Sequence, residues 1–264
     1  MLRAARTPAR SAACQDDGVR MVFGEVAHVY DDVRPGYPTE IARTILDYHG
    51  TAPAHVVEIG AGTGKGTDVL LRLGAPITCL EPDPRMAARL TAKHPQVQVR
   101  TESFEQWRPP AGGVPLIAAA LAWHWLDPAT RNPRAHAALT PGGTLAAFGH
   151  RYAYADPDQA AAIDATLRAI DPTVRDRPPT WLHDDIIASG LFTDVRTETT
   201  SRHLPLTTDR YQQLIGTFGP FRTRPVDERA RALDAVRALV DGFGGTVVLD
   251  LRTTLVLARR PGTA

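Results

Sequence analysis

Residues 55–66 read HVVEIGAGTGKG, an apolar, β-branched run that enters Gly60-Ala61-Gly62-Thr63-Gly64-Lys65-Gly66 without a spacer, and a helical pattern starts at Lys65. A strand that feeds a glycine loop opening a helix is a ligand-binding arrangement. Glycines let the backbone turn sharply and approach a bound molecule without Cβ clashes, and the helix offers free N–H groups at its amino end. Two nucleotide patterns fail here. The phosphate loop GxxxxGK followed by Ser or Thr fails because Gly66 follows Lys65 and Ile59 stands five before Gly64. The dinucleotide pattern GxGxxG, counted from Gly60, meets Lys65 at its third glycine. What remains is an acidic residue, Glu58, followed by GxGxG, or else a loop whose glycines only make a tight turn.

Outward from this loop the chain alternates. HVVEI (55–59), PITCLE (76–81), VQVR (97–100), VPLIAAAL (114–121) and GTLAAFG (143–149) read as strands, with helices at Lys65–Leu73, Pro84–Lys93 and Pro128–Leu139 between them. Apolar runs without alternation suit strands covered on both faces, so an α/β fold with a doubly wound, Rossmann-like, mostly parallel sheet is expected. After Gly149 the rhythm changes. Helical patterns at about 156–170, 180–189, 207–216 and 226–241 surround the strand candidates 192–200 and 246–258, with loops marked by prolines such as Pro172, Pro178 and Pro179. The stretch from about 150 to 190 is expected over the carboxyl ends of the strands, where open α/β sheets bind ligands.

Strand PITCLE ends in Glu81, 23 residues after Glu58 (81 − 58). This is close to the spacing of about 20 at which an acidic side chain accepts hydrogen bonds from ribose hydroxyls; the plain alternative is a solvated strand-end carboxylate.

The segment Glu58-Ile59-Gly60-Ala61-Gly62-Thr63-Gly64 resembles the first motif of the class I S-adenosylmethionine-dependent methyltransferases, and Glu81-Pro82-Asp83-Pro84-Arg85-Met86 resembles the second. The resemblance implies S-adenosylmethionine as cofactor and S-adenosylhomocysteine as product. Gly60, Ala61, Gly62 and Gly64 would form the loop against the cofactor, with Glu58 beneath its amino-acid end. Glu81 would hold the ribose, and Pro82 and Met86 would lie by the adenine. Phe23-Gly24-Glu25-Val26-Ala27-His28-Val29-Tyr30 and Arg34-Pro35-Gly36-Tyr37-Pro38 are similar to the amino-terminal lid of the small-molecule branch that includes trans-aconitate methyltransferase-like proteins. Tyr30 and Arg34 are its candidates for closing over the methionine part; the alternative is a helix end with a solvated Arg.

Ser103 and Phe104, after the third strand, stand where the family covers the adenine, although an apolar residue there also suits core, and Glu102 and Glu105 are both candidates for its acidic neighbour. The fourth strand ends in Ala119-Ala120-Leu121-Ala122-Trp123-His124-Trp125, the family's meeting place of donor and acceptor. Ala120 is placed by the cofactor. His124 is either a general base toward an acceptor hydroxyl or amine, since imidazole titrates near neutral pH, or a packing group beside Trp125. With Trp123, His124, His150, Tyr152 and Tyr154 would line the acceptor pocket. Aromatic residues suit a planar or apolar acceptor; Arg151, Arg222 and Arg224 suit a carboxylate. Pro141-Gly142-Gly143-Thr144-Leu145 matches the family's turn into the fifth strand.

Composition narrows the class further. Thirty Lys+Arg against 29 Asp+Glu give a net charge of +1, which argues against an electrostatic grip on nucleic acid or an anionic membrane. Two cysteines, Cys14 and Cys79, make neither a disulfide framework nor a zinc site, and no metal is expected; a reducing, cytoplasmic setting fits. Residues 1–20 are expected to be a disordered extension, with an Arg-rich transit peptide as the alternative. Residues 21–264 are expected to form one domain: lid helices over 21–50, a cofactor core over 54–150, and helical acceptor-side segments over 151–190 and 203–245. Two other readings stay open on the same residues, a binding protein that uses the cofactor for another reaction such as cyclisation, and a nicotinamide-dependent oxidoreductase.

Overall fold

The computed structural model describes residues 27–171 and 177–262. The proposed amino-terminal extension, Phe23 to Val26 of the lid motif, Cys14 and Pro172 lie outside them. Strand β1 (Val56–Ile59), buried along its whole length, runs between β2 (Ile77–Leu80) and β4 (Val114–Ala120). Beyond β2 lies β3 (Gln98–Arg100). Beyond β4 come β5 (Leu139–Tyr154), β7 (Thr246–Arg259) and, at the edge, β6 (Thr193–Thr207). Every pairing from β3 to β5 is parallel, and β7 runs antiparallel to both of its neighbours, so the doubly wound, mostly parallel sheet holds. The chain winds from β1 toward β3 and then starts again at β4 on the other side. The crevice beyond the carboxyl ends of β1 and β4 is therefore the switch point of the sheet.

Because successive strand residues face opposite ways, the buried strands divide between two layers. Val57, Ile59, Ile117, Ala119 and Ala147 meet Trp123, Leu182 and Ile186 on one side, while Val56, Leu116, Ala118 and Phe148 meet Ile45, Leu70 and Leu90 on the other. A third cluster, with Ile163, Tyr211, Val236 and Leu249, packs around the far end of the long strands.

Helices α1 (Ala27–Val33) and α2 (Glu40–His49) precede β1. Then come α3 (Thr67–Leu70), which tightens into a 3-10 turn over Leu71–Leu73, α4 (Pro84–Lys93), α5 (Arg131–Ala138) and α6 (Pro157–Ile170). They are followed by α7 (Trp181–Ala188), α8 (Thr208–Ile215), α9 (Gly219–Arg222) and α10 (Val226–Gly242). The start of α4 follows from local chemistry: Asp83 accepts the Arg85 N–H, and Pro84 at the first helical position brings a preset φ and no orphan N–H. None of the helices among the described residues is long and apolar enough to cross a membrane.

The strands β5 and β6 outrun the sequence reading. β5 continues to Tyr154 instead of ending at Gly149, and β6 continues to Thr207 instead of 200. Helix returns only at Pro157 and Thr208, so the expected helical segments over 151–190 and 203–245 each open with strand. The reason is β7, which offers backbone partners to β5 as far as Tyr154 and to β6 as far as Thr207. The turn read at Pro141-Gly142-Gly143 also lies within β5, at a register shift against β4 between Val114 and Leu116.

Candidate active site

A cavity of about 1390 Å³ opens at the switch point, bounded by the glycine loop, the ends of β2 and β4, α1, and parts of α6 and α7. Gly60 and Gly62 both take left-handed φ, +61° and +58°. A Cβ on Gly60 would lie 2.7 Å from the Cβ of Ala122, whereas one on Gly62 would meet no atom within 4 Å. The first glycine is needed for packing and the second keeps the cavity clear. Glu81, 7% exposed, ties the two loops together: its Oε2 accepts the Gly62 N–H at 2.8 Å and its Oε1 accepts the Asp83 N–H at 2.9 Å. Burial raises its pKa against the pull of those two N–H groups. Ala61, Pro82, Met86, Ser103 and Ala120 also border the cavity. Phe104 borders it while being only 3% exposed, with its ring stacked on Trp107 at 6.1 Å. Of the two carboxylates left open in this loop, Glu105 stands on the wall and Glu102 pairs with Arg100.

Glu58 and Gly64 stand behind this wall. A Cβ on Gly64 would come within 2.8 Å of both Leu90 and His94, so this glycine lets α4 close against the loop. Glu58 is fully buried, accepts the Thr67 hydroxyl at 2.6 Å, and has Cys79 Sγ at 3.6 Å. A Cβ on Gly66 would lie 2.3 Å from its Oε1. Burial pushes the Glu58 pKa up to about 8, only partly offset by those hydrogen bonds. The folded state thus holds a proton that the unfolded chain releases near the ordinary carboxyl value, so this contribution is complete below about pH 4.5 and is lost as pH rises through 8. Glu58→Gln, which cannot ionise, is expected to be more stable than the wild type at pH 8.5 by on the order of 1–3 kcal/mol and nearly equal to it at pH 5, in urea unfolding at the two pH values. A gap of the same size at both would show that ionisation of Glu58 is not what separates them.

Tyr30 and Arg34 reach the cavity from α1 and the turn after it. The half-buried Arg34 guanidinium lies between the rings of Tyr30 (4.9 Å) and Phe218 (4.5 Å). It donates to Thr217 through Oγ1 at 2.9 Å and the carbonyl at 3.0 Å, with the Tyr152 hydroxyl at 3.5 Å. All of these partners are neutral. A cation on a cavity wall with neutral partners suits an incoming carboxylate.

On the opposite wall Trp123–Trp125 form a single 3-10 turn. Trp123, 2% exposed, anchors it: the indole N–H donates to Asp185 Oδ2 at 2.9 Å, and Arg131 and Asn132 donate to the same carboxylate. Arg131 also donates to the Trp123 carbonyl at 3.3 Å. Trp123 borders the cavity together with His124 and Trp125, whose rings lie 4.7 Å apart, and Trp181 of α7 is edge-on to His124 at 6.4 Å. Leu121, entering the turn, has φ +53°, a strained value for a non-glycine residue.

His150, Tyr152 and Tyr154 share one face of β5 and also border the cavity. His150 bonds Thr253 Oγ1 through Nδ1 at 2.9 Å and stacks on Tyr37 at 4.3 Å; burial lowers its pKa to about 4, so it is neutral at pH 7. Tyr154 shares a 2.6 Å hydrogen bond with Tyr211, and burial pushes its pKa up to about 12. Of the three arginines considered for a carboxylate, Arg151 borders the cavity, whereas Arg224 is tied to Asp171 and Glu228, and Arg222 is off the wall.

Thr63, Lys65, Arg177, Trp181 and Phe218 also line the cavity and were not singled out from sequence. In the sequence Lys65 breaks GxGxxG and opens a helical pattern, and neither signal marks it as a cavity residue. Trp181 follows Pro178-Pro179-Thr180, a turn leading into a helix, and that was its one available signal.

Residues 56–143 match the methyltransferase domain family. An uncharacterized methyltransferase of Mycobacterium tuberculosis is 29% identical over 227 residues, covering 86% of this chain and 88% of its own. Trans-aconitate 2-methyltransferase of Rhizobium meliloti is 31% identical over 112 residues, 41% of this chain and 43% of its own. Among solved structures, a protein of Anaeromyxobacter dehalogenans assigned as a type II methyltransferase shares the fold with TM-score 0.66 at 17% identity, over 87% of this chain and all but 1% of its own. With the sheet order and the loop geometry, these findings support a class I S-adenosylmethionine-dependent methyltransferase, and the solved structure shows the same fold.

Proposed function

We propose that this cavity holds S-adenosylmethionine between the glycine loop and α1 and presents its methyl group to a small-molecule acceptor beside the Trp123–Trp125 turn. The observation that carries the reading is the convergence on one cavity of Gly62, whose missing side chain leaves an open cradle, Glu81 at the end of β2, and Arg34 with only neutral partners. Bound there, the cofactor supplies an already activated methyl on its sulfonium. Glu81 holds the ribose hydroxyls with lone pairs left over from its two backbone bonds. Met86, Ser103 and Phe104 border the base, Arg34 takes the carboxylate, and Tyr30 covers it. His124 and Trp125 orient the acceptor, and His124 holds or accepts its proton. Placing the nucleophile in line and excluding water supplies most of the rate, through effective molarities on the order of 10⁵ M or more.

Two arginines favour an acceptor with a negative charge. Arg151 donates to the Arg177 carbonyl at 3.0 Å, and Arg177 lies over Trp181 at 5.5 Å; neither has a carboxylate partner among the described residues. Trans-aconitate 2-methyltransferase, the similar protein noted above, takes its name from such a compound.

Calorimetry tests the donor half directly. The purified protein is expected to bind S-adenosylhomocysteine, and Glu81→Ala to weaken that binding by roughly 1–3 kcal/mol. No heat with the wild type, or full affinity in Glu81→Ala, would count against the assignment.

A further inference from the structure

Asp31 does not line the cavity itself but lies where two other segments meet. Its Oδ1 accepts the Thr63 hydroxyl at 3.0 Å, and its carboxylate lies 3.8 Å from Lys65 Nζ, 3.6 Å from Arg89 and 3.6 Å from Lys93 Nζ. Thr63 and Lys65 belong to the glycine loop and border the cavity, while Arg89 and Lys93 belong to α4. The Asp31 side chain is only 14% exposed. One carboxylate of α1 thus gathers four donors, three of them cations, from two segments more than 30 residues away. Asp68, 2.8 Å from Lys93, is the other carboxylate bonded in this group.

The position of Asp31 within α1 matters as much as its contacts. It sits next to Tyr30 and three residues before Arg34, whose N–H closes onto the Tyr30 carbonyl at 3.0 Å. On the other side of the helix Asp32 pairs with Arg210 of α8, and Val33 is buried with Tyr211 and Phe221. Fixing Asp31 therefore fixes where Tyr30 and Arg34 stand relative to the glycine loop. An isolated exposed ion pair contributes little, but a shielded carboxylate shared by several cations holds more firmly and still responds to salt.

We infer that Asp31 is a positioning residue for the donor site: it fastens α1 to the glycine loop and α4, so that release of the bound cofactor requires breaking this charge cluster. The inference rests on the donor reading above. It assigns Asp31 no contact with the cofactor, and it makes cofactor retention depend on ionic strength.

The test is the release rate of S-adenosylhomocysteine, measured by displacement with excess labelled S-adenosylmethionine at 25 mM and 500 mM NaCl, for the wild type, Asp31→Asn and Arg89→Gln. Melting temperatures are taken without ligand. Wild-type release is expected to quicken roughly fivefold or more at the higher salt. Asp31→Asn is expected to release about tenfold faster at low salt and to lose most of the salt dependence, and Arg89→Gln to fall between the two. Should Asp31→Asn fold poorly, Arg89→Gln carries the comparison alone. Release from the variants at wild-type rates, with an unchanged response to salt, would overturn the inference even if their melting temperatures fell. Absence of any binding to the wild type would instead remove the donor reading itself.

Discussion

A valine at position 62 is expected to lower the affinity for S-adenosylhomocysteine at least about 100-fold, equivalent to about 2.7 kcal/mol or more. Two effects add. Gly62 has φ +58°, where an L-residue is strained by roughly 1–2 kcal/mol and a β-branched one by more. Its side-chain direction is also open, with no atom within 4 Å of a Cβ, so the new methyl groups occupy the space kept for the cofactor. The strain alone can be measured separately. Gly74, after the 3-10 turn, has φ +69° and equally open surroundings but does not border the cavity. Gly74→Val should therefore lose comparable melting temperature while binding the ligand normally. Calorimetry and thermal melting on both variants decide it, and Gly62→Val binding within threefold of the wild type would mean that the ligand does not pass this glycine.

Replacing His124 by alanine is expected to lower kcat by about 10²- to 10⁴-fold if the imidazole takes the acceptor's proton, with wild-type activity falling on the acid side as the ring becomes protonated. If the ring only orients the acceptor, His124→Asn should retain much of the activity, since an amide can still donate and accept but does not titrate in this range. Affinity for S-adenosylhomocysteine should barely move in either variant, because the proposed donor contacts are at Glu81, the glycine loop and Arg34. A ring that only packs against Trp125 gives a third pattern: lower melting temperature with turnover per folded molecule nearly intact. Near wild-type kcat in His124→Ala would end the catalytic proposal. His150 is the other imidazole of the cavity singled out from sequence, and its pKa near 4 makes it a poor source of a rate change between pH 6 and 8.

Sequence alone points to a donor side because its chemistry is local. The run from Glu58 to Gly64 and the acidic end of β2 are each short, and the alternation of apolar runs placed them at neighbouring strand ends. The Pro84–Lys93 helix was bounded to the residue because Asp83 and Pro84 define its start within two positions. The same signals could not separate the residues on the cavity from those behind it: Glu58 and Gly64 belong to the motif, but burial turns them into supports for the loop. What escaped depends on distant partners. Asp185 fixes Trp123 from 62 residues away, Asp31 meets Thr63 across 32, and β5 runs on past Gly149 because β7, a hundred residues later, lies beside it. Phe104 suits both base and core in sequence, and it is nearly buried while still touching the cavity.

Past Phe148 the strand β5 has no partner in β4, and Gly149 to Tyr154 pair with β7 alone, a ribbon of six residues or about 20 Å. Its even-numbered residues carry His150, Tyr152 and Tyr154, and its odd-numbered face carries Arg151 opposite Arg252. Under the proposed function, substitutions on this ribbon alter acceptor recognition while the donor loops, anchored on the parallel strands, stay as they are. Insertions and deletions behave differently. Shifting β5 by one residue past β7 would turn the aromatic set to the other face of the sheet in a single step. Point changes here should retune recognition gradually, whereas a one-residue gap should replace one recognition chemistry by another, making the ribbon a place where relatives diverge in jumps.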